Sequence, residues 1–284
     1  MRRCEKGACN DYAPGEDSTR VCIDSVAALL EPVHEAGIMA LREQRNMSFS
    51  DRGFKADDSI TTRVDTMVES YLADRIMAIF PHANLLAEET VRRFDPSRPY
   101  TFALDPIDGT DAFSQSMAGW CISLGLLGPE LMPVAGIIFA PMLDLLLFAD
   151  VGKRATLNGS MLCVEGRDEP LTGRSNIMVP SSVHHQLDLR RFPGKIRSIG
   201  SAALHLTGPI AYPGVFAAVD GGRGYVWDVA AAHAVARSVG YGFEYFSGRE
   251  VTYASLVTGS RVEDLILVGS AERIDALRKC LTRI

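Results

Sequence analysis

The chain has 284 residues, 47% of them hydrophobic and 23% charged, with a formal net charge of -6. That length carries one large domain or two subdomains sharing an interface, and the composition is that of an ordinary soluble globular protein. The acidic balance argues against a nucleic-acid scaffold, which carries a basic excess. No run reaches the ~20 apolar residues of a membrane helix, and no apolar stretch follows Arg2 and Arg3 to make a signal peptide.

Residues 1–20 are polar, hold Pro14 and Gly15, and read as a mobile tail. From 21 to about 44, Val26, Leu29, Leu30, Val33, Ile38 and Leu41 recur at helical spacing. A polar loop is expected over 48–59, then a second helix from about 62 to 80, stopped by Pro81. Short strands are expected at 84–88 and 101–105. A meander follows over 120–127, 134–140 and 145–149, turning at Gly128-Pro129 and Pro141-Met142. Asn158-Gly159 marks a hairpin turn.

The polar stretch 165–174 is the best boundary, giving an N-terminal subdomain over 21–172 and a C-terminal one over 173–284. Beyond it strands and helices alternate: strands at 176–179, 195–199, 215–219 and 265–268, helices at 183–190, 201–211, 228–239 and 271–282. Antiparallel strands early and βα units late predict an α/β (α+β) layered sandwich in two halves.

Cys4, Cys9, Cys22, Cys121, Cys163 and Cys280 form no C-x-x-C pair and read as reduced thiols of a cytoplasmic protein. A zinc site at Cys4, Cys9 and Cys22 lacks a fourth ligand at a usual spacing. His184-His185 and His233 lie on expected helices without metal-ligand spacing and read as structural or surface histidines.

Chemistry concentrates in Leu104-Asp105-Pro106-Ile107-Asp108-Gly109-Thr110. In a regular strand, residues three apart point to opposite faces. Pro106 is expected to end the pairing and turn the chain, so that Asp105 and Asp108 face one cleft and the Ile107 carbonyl is freed as a ligand. Gly109 allows close backbone approach, and N–H groups at Gly109 and Thr110 offer an anion site if a helical turn starts there. Glu88-Glu89 ends an apolar strand, where only one of two adjacent side chains can enter a site. Asp228 stands before the small residues Val229-Ala230-Ala231-Ala232.

Each segment alone has a plain structural reading: an Asp-rich turn, a solvated acidic pair, a helix N-cap. Together Glu88, Asp105, Asp108 and Asp228 would bring four negative charges into one cleft, a costly arrangement that two divalent cations neutralise. All-oxygen ligation selects magnesium or manganese. Two such ions activate a water and stabilise a leaving oxygen, as phosphate-monoester hydrolysis requires.

At these residues the sequence resembles the inositol monophosphatase family, within the superfamily that holds fructose-1,6-bisphosphatases and bisphosphate nucleotidases. The resemblance rests on Glu88-Glu89, the block Asp105–Thr110, Trp227–Ala231, Gly200-Ser201-Ala202-Ala203 and Thr62-Arg63-Val64-Asp65. It implies a layered αβαβα sandwich with the active site between two subdomains. It also implies that Glu88, Asp105 and the Ile107 carbonyl bind one metal, and that Asp105, Asp108 and Asp228 bind a second. Glu88 and Thr110 would activate water, Asp65 would support Thr110, and Gly109 and Thr110 N–H groups would hold phosphate, with Asp108 and Asp228 beside it. Ser201 and Ala202 would line the substrate, and Lys55 matches a basic loop position offset by one.

The cofactor implied is Mg2+, two or three ions per site, with Mn2+ as a substitute and Ca2+ and Li+ as inhibitors. A homodimer acting on a small phosphorylated metabolite is implied too, with no nucleic acid or membrane partner. The expected activity is phosphoric monoester hydrolysis of a polyol or sugar phosphate such as myo-inositol monophosphate. A 3'(2'),5'-bisphosphate nucleotidase, a fructose-1,6-bisphosphatase and a histidinol-phosphatase stay open on the same scaffold. The resembling enzymes carry an acidic substrate-binding residue where this chain has Gly221, beside Asp220, and Asp111 follows Thr110 where relatives vary. Two other readings are a haloacid-dehalogenase-type phosphatase, whose two aspartates stand two apart rather than three, and a non-catalytic binding module.

Overall fold

The computed structural model describes residues 25–47, 53–54, 60–90, 93–153, 155–164 and 169–284. The expected tail 1–20, residues 21–24, Cys4, Cys9, Cys22, Lys55 and part of the expected boundary (165–168) lie outside the described residues.

A 3-10 turn, Ala27–Leu29, leads into helix α1 (Leu30–Asn46). Its buried residues Val33, Ala36, Gly37, Ala40 and Gln44 recur every three to four positions and form one apolar-facing stripe. Of the expected polar loop 48–59 only 53–54 are described, as β1 (Gly53–Phe54), which pairs antiparallel with β2 (Ile60–Thr61) just beyond it. Helix α2 (Arg63–Ile79) buries Val64, Val68, Leu72, Ala73 and Ile76 on one stripe and ends before Pro81. Thr62 caps its start in a reciprocal box: its hydroxyl accepts the Val64 N–H, while its own N–H donates to Asp65 Oδ2.

The first sheet has the order β3-β4-β5-β6-β7-β8-β9. Its strands are β3 (Asn84–Ala87), β4 (Thr101–Asp108), β5 (Cys121–Leu127), β6 (Pro133–Ala140), β7 (Leu145–Asp150), β8 (Thr156–Leu157) and β9 (Ser160–Met161). Only β3 and β4 run parallel. Between β4 and β5 lies helix α3 (Thr110–Ser114). Asn158 and Gly159, both at positive φ, make the tight turn from β8 to β9.

The second sheet has the order β12-β10-β13-β15-β14. It is built from β10 (Asn176–Met178), β12 (Lys195–Arg197), β13 (Val215–Asp220), β14 (Gly242–Tyr245) and β15 (Ile266–Gly269). β10 is parallel to both of its neighbours, while β15 is antiparallel to both of its own. Helices α4 (Ala202–Ala211), α5 (Val226–Ser238) and α6 (Ala271–Cys280) complete the set.

Two departures from the sequence expectations stand out. The helix expected over 183–190 is a 3-10 turn, Val183–His185, followed by β11 (Leu187–Asp188). Asp188 is occupied by Arg190, and Leu187 pairs with Arg283 of β16 (Thr282–Arg283), so the chain here serves an edge contact rather than a helix. Strand β14 was not foreseen; its Phe243 and Tyr245 alternate inward with a period of two.

Three cores define five layers. Helices α1 and α2 pack on one face of the first sheet through Leu29, Val68, Phe102, Leu104 and Ile137. Helices α4 and α5 fill the space between the sheets with Leu204, Val229, Ala230, Ile138 and Ile266. Helix α6 covers the outer face of the second sheet with Ile274, Leu277, Leu267 and Phe216. Both sheets are therefore covered on both faces at their centres, which is why β4, β5, β13 and β15 are buried along their whole length, whereas β14 at an edge alternates. The result is the expected αβαβα sandwich.

Helix α5 lies unusually close to the first sheet. A Cβ on Gly125 would stand 2.6 Å from Ala230 Cβ, and one on Gly136 2.7 Å from the Ala231 carbonyl oxygen. Facing glycines and alanines let the helix settle onto β5 and β6, and that depth sets where Asp228, in its first turn, emerges. Among the described residues no helix is long and apolar enough to cross a membrane. Cys121, Cys163 and Cys280 are free thiols.

Candidate metal centre and active site

The acidic block is not a turn that leaves the sheet. Strand β4 continues through Pro106 to Asp108, with Asp105 opposite Ser123 and Asp108 opposite Cys121. Three steps on β4 answer two on β5, which is a β-bulge with one extra residue. One extra residue shifts the side-chain phase, so Asp105 and Asp108 face the same side although they are three apart. A bulge tolerates proline because no ladder N–H is needed there. The Ile107 N–H is satisfied by Asp105 Oδ1 at 3.0 Å.

Asp228, in the first turn of α5, completes a trio. Asp105, Asp108 and Asp228 each offer a carboxylate oxygen within 4.8 Å of the others. Asp105 and Asp108 are buried, and Asp228 is partly exposed. Asp228 Oδ2 accepts the Tyr225 N–H, and Ser123 Oγ donates to the Trp227 carbonyl at 3.1 Å, fixing this turn to β5. Asp108 sits in a cradle at the start of α4. Its Oδ2 accepts from Ser201 Oγ at 2.5 Å and Ala203 N at 2.7 Å, and its Oδ1 from Ala202 N at 3.1 Å.

Gly109, at φ +95°, lets β4 pass directly into α3. A Cβ there would lie 2.8 Å from the Gly119 carbonyl, and one on Gly200 would lie 2.6 Å from the same oxygen. Thr110 Oγ1 stands 3.1 Å from Asp65 Oδ1 and 2.9 Å from the Ile107 carbonyl. Asp65 Oδ2 takes the Thr62 N–H and hydroxyl at 2.8 and 2.6 Å, so the helix cap of α2 aims Asp65 at Thr110. Glu88 lies outside the 4.8 Å trio but close enough to raise the pKa of both Asp105 and Asp228. Glu89 accepts from the Thr61 hydroxyl, its N–H donates to Glu69, and its charge adds to the rise of the Asp65 carboxyl.

The electrostatics are those of crowded anions. Burial pushes the Asp105 carboxyl well above its ordinary range, and Glu88, Asp108 and Asp228 push it further. Burial also raises Asp108, against the pull of its three hydrogen-bond donors. Asp228 is pushed up to about 8, by burial first and then by Asp108. Asp65 is raised chiefly by burial. Beside them the Cys121 thiol, 3.8 Å from Asp108 Oδ2, is pushed well up by burial and by that carboxylate. Oxygen-only donors under mutual repulsion suit a hard divalent cation, so this donor set fits magnesium or manganese.

Other expected residues fall as follows. Ser201 is fully buried and bonds Asp108, so it does not line a substrate as expected; Ala202 is partly exposed beside it. Gly221, at φ +86°, would direct a Cβ to within 3.0 Å of Ile266 Cδ1, so this backbone disfavours a side chain there. Its neighbour Asp220 is engaged by His205. Asp111 is exposed and accepts from Gln115. Sequence reasoning missed Ser123 and His205, and it named Asp220 only as the neighbour of Gly221, not as the partner of His205. None sits in a motif, and only the register of β5 and the packing of α4 on β13 bring them in.

The sequence and the fold resemble those of known proteins. The model of the "Inositol monophosphatase family" matches residues 25–271. A Thermotoga maritima protein named "Fructose-1,6-bisphosphatase/inositol-1-monophosphatase" is 30% identical over 203 residues, 70% of this chain and 75% of its own. "Inositol monophosphatase 2" of Saccharomyces cerevisiae is 28% identical over 212 residues, covering 68% and 71%. Among solved structures, the fold resembles a Thermotoga maritima IMPase with a TM-score of 0.76 at 21% identity, over 90% of this chain and 98% of that one.

Proposed function

The chain belongs to the inositol monophosphatase family and is a phosphoric monoester hydrolase; from that premise we propose a magnesium-dependent, two-metal phosphomonoesterase acting on a small polyol or sugar phosphate such as myo-inositol monophosphate. The observation that carries it is the trio Asp105, Asp108 and Asp228, gathered within 4.8 Å by a bulged strand and a helix start from distant parts of the chain.

Glu88, Asp105 and the Ile107 carbonyl would hold one ion; Asp105, Asp108 and Asp228 would hold a second. Bound magnesium would lower the pKa of water and neutralise charge on the phosphoryl oxygens. The protein's part is positioning and proton handling. The single Thr110 hydroxyl proton has two acceptors, the Ile107 carbonyl and Asp65 Oδ1. With that carbonyl engaged as a ligand, Asp65 is left to hold the proton. A lone pair of Thr110 Oγ1 then accepts from the attacking water, and Glu88 takes the water's other proton. Gly109 and Thr110, partly exposed at the end of a buried strand, are the backbone positions for phosphate oxygens. Ala202 borders the organic part of the substrate.

A second substrate class has support. No acidic side chain stands at Gly221, and Asp220 is turned to His205, so the site lacks an obvious carboxylate for polyol hydroxyls there. That favours testing bisphosphates as well: fructose 1,6-bisphosphate and 3'-phosphoadenosine 5'-phosphate, with histidinol phosphate as a further candidate. The same reading includes a cytoplasmic homodimer and inhibition by Li+ and Ca2+. Phosphate release from this panel at mildly alkaline pH, with and without Mg2+, is the test. Magnesium-dependent turnover of one compound supports the reading; turnover unaffected by chelation overturns it.

A further inference from the structure

His205, in the first turn of α4, is almost completely buried and uses both ring nitrogens. Its Nε2 stands 2.8 Å from the Ile199 backbone nitrogen, and its Nδ1 stands 2.5 Å from Asp220 Oδ2 at the end of β13. A backbone N–H can only donate, so Nε2 is the acceptor. The ring proton is therefore on Nδ1, where Asp220 accepts it, and the imidazole is neutral. The pair is a hydrogen-bonded relay rather than an ion pair. Asp220 Oδ1 takes the Gly221 N–H at 2.6 Å, which fixes the carboxylate in turn.

The relay ends on a demanding piece of backbone. Strand β12 stops at Arg197, and the chain then runs through Ile199 and Gly200, at φ +117°, to Ser201. Ser201 N donates to the Gly119 carbonyl at 2.9 Å, the same oxygen that crowds Gly109 and Gly200. One residue further on, Ser201, Ala202 and Ala203 supply all three hydrogen bonds of the Asp108 cradle. A small displacement of Ile199 would carry that cradle with it.

We propose that Asp220 and His205 are positioning residues: through the Ile199 N–H they hold the Ser201–Ala203 cradle, and so aim Asp108 at its divalent cation. The inference rests on the reading of Asp108 as a metal ligand. Neither residue touches substrate, and their effect is exerted on metal affinity rather than on substrate affinity.

Two substitutions separate the two bonds. A Gln side chain at 205 brings an amide oxygen near the position of Nε2, whereas an Asn side chain reaches only to that of Nδ1. Mn2+ binding by electron paramagnetic resonance, read on folded protein, is expected to weaken about tenfold in His205→Asn and His205→Ala and to stay within about threefold of wild type in His205→Gln, the size usual for support of a metal ligand. Asp220→Asn has one acceptor oxygen for two donors, the His205 Nδ1–H and the Gly221 N–H, so its affinity is expected to fall between those of wild type and Asp220→Ala. Substrate KM at saturating Mg2+ should stay unchanged throughout. Wild-type Mn2+ affinity in folded His205→Asn, or a change confined to KM, overturns the inference while leaving the phosphatase reading intact. Failure of the wild-type protein to bind Mn2+ overturns both.

Discussion

Ser201 Oγ donates to Asp108 Oδ2 over 2.5 Å, joining the start of α4 to the end of β4 across 93 positions of sequence. The bond helps make a buried carboxylate tolerable before any cation arrives, and with the Ala202 N–H on Oδ1 it fixes the carboxylate's orientation. Ser201→Ala leaves each Asp108 oxygen with one backbone donor, Ala202 on Oδ1 and Ala203 on Oδ2, and removes the shortest of the cradle's bonds. An unmet hydrogen bond at a buried charged group costs about 1–3 kcal/mol, and loss of a supporting partner typically weakens metal binding about 10–100-fold. Phosphatase activity should fall with a raised Mg2+ requirement, while Ser201→Thr should retain most of both. Titrating Mg2+ against rate checks this; an unchanged half-saturation would show that the cradle does not tune the metal site.

Asp105→Asn should separate stability from activity. Its carboxyl is raised by burial first and then by four neighbouring carboxylates, so a neutral amide removes that penalty from the metal-free protein. The melting temperature in chelator should hold or rise, and activity should fall by more than about a hundredfold because the shared ligand is gone. A variant that keeps most of the wild-type rate would sink the two-metal reading.

The pH response of the metal-free protein follows from Asp228. Its folded pKa is about 8 against an ordinary 3.8, so between those values the folded form holds a proton that the unfolded chain has released. Stability in chelator therefore declines as pH rises through that window, and Asp105 and Asp108 act in the same direction. His233 opposes them at the acid end. Burial lowers it to about 3 from 6.5, and stability from this source is lost as pH falls below 6.5. Comparing melts with and without Mg2+ cancels the His233 contribution. The stabilisation by Mg2+ should grow as pH rises toward 8, since the ion then competes with fewer protons. A gap that shrinks with rising pH would contradict the assignment of Asp228.

Thr110→Val keeps the shape of the side chain and removes the hydroxyl that meets Asp65 Oδ1 and the Ile107 carbonyl. The expected loss is in kcat, about 100-fold or more as for removal of a proton-positioning group, with metal affinity altered far less. Thr110→Ser should recover much of the rate. If Thr110→Val loses metal binding instead, its hydroxyl serves the Ile107 carbonyl more than the water.

Gly125→Ala tests the depth at which α5 sits. The new methyl would meet Ala230 Cβ at 2.6 Å, and the helix must lift or tilt to admit it. Overpacking of this kind costs about 1–3 kcal/mol. Because Asp228 rides on the same helix, thermal stability and Mg2+ affinity should fall together. Loss of stability alone would mean that the first turn of α5 moves independently of its body.

Much of the architecture is legible in the chain itself. The stripes of α1 and α2 appear as helical repeats because one face of each must be buried, and Pro81 marks a real end. The meander is written as apolar runs between turns, and Asn158-Gly159 is the hairpin that the dipeptide demands. Asp105, Asp108 and Asp228 stand out because carboxylates beside proline, glycine and small residues have little reason to sit next to apolar strands.

What only the tertiary structure decides is the phase and the company of those residues. Sequence reasoning turns the chain at Pro106, whereas the strand continues and a one-residue bulge aligns Asp105 with Asp108, because β5 supplies the register. In the run 183–190 the buried residues Val183 and Leu187 stand four apart, as on one face of a helix, and only the pairing of Leu187 with Arg283 distinguishes strand from helix there. Ser201 reads as a substrate contact and proves to be a buried support for Asp108. His205 and Ser123 carry no local signature, and Asp220 shows only its place beside Gly221, since hydrogen bonds across 15 to 104 positions depend on which helix packs on which strand. Local chemistry determines which residues are available for a site; packing geometry determines which of them meet.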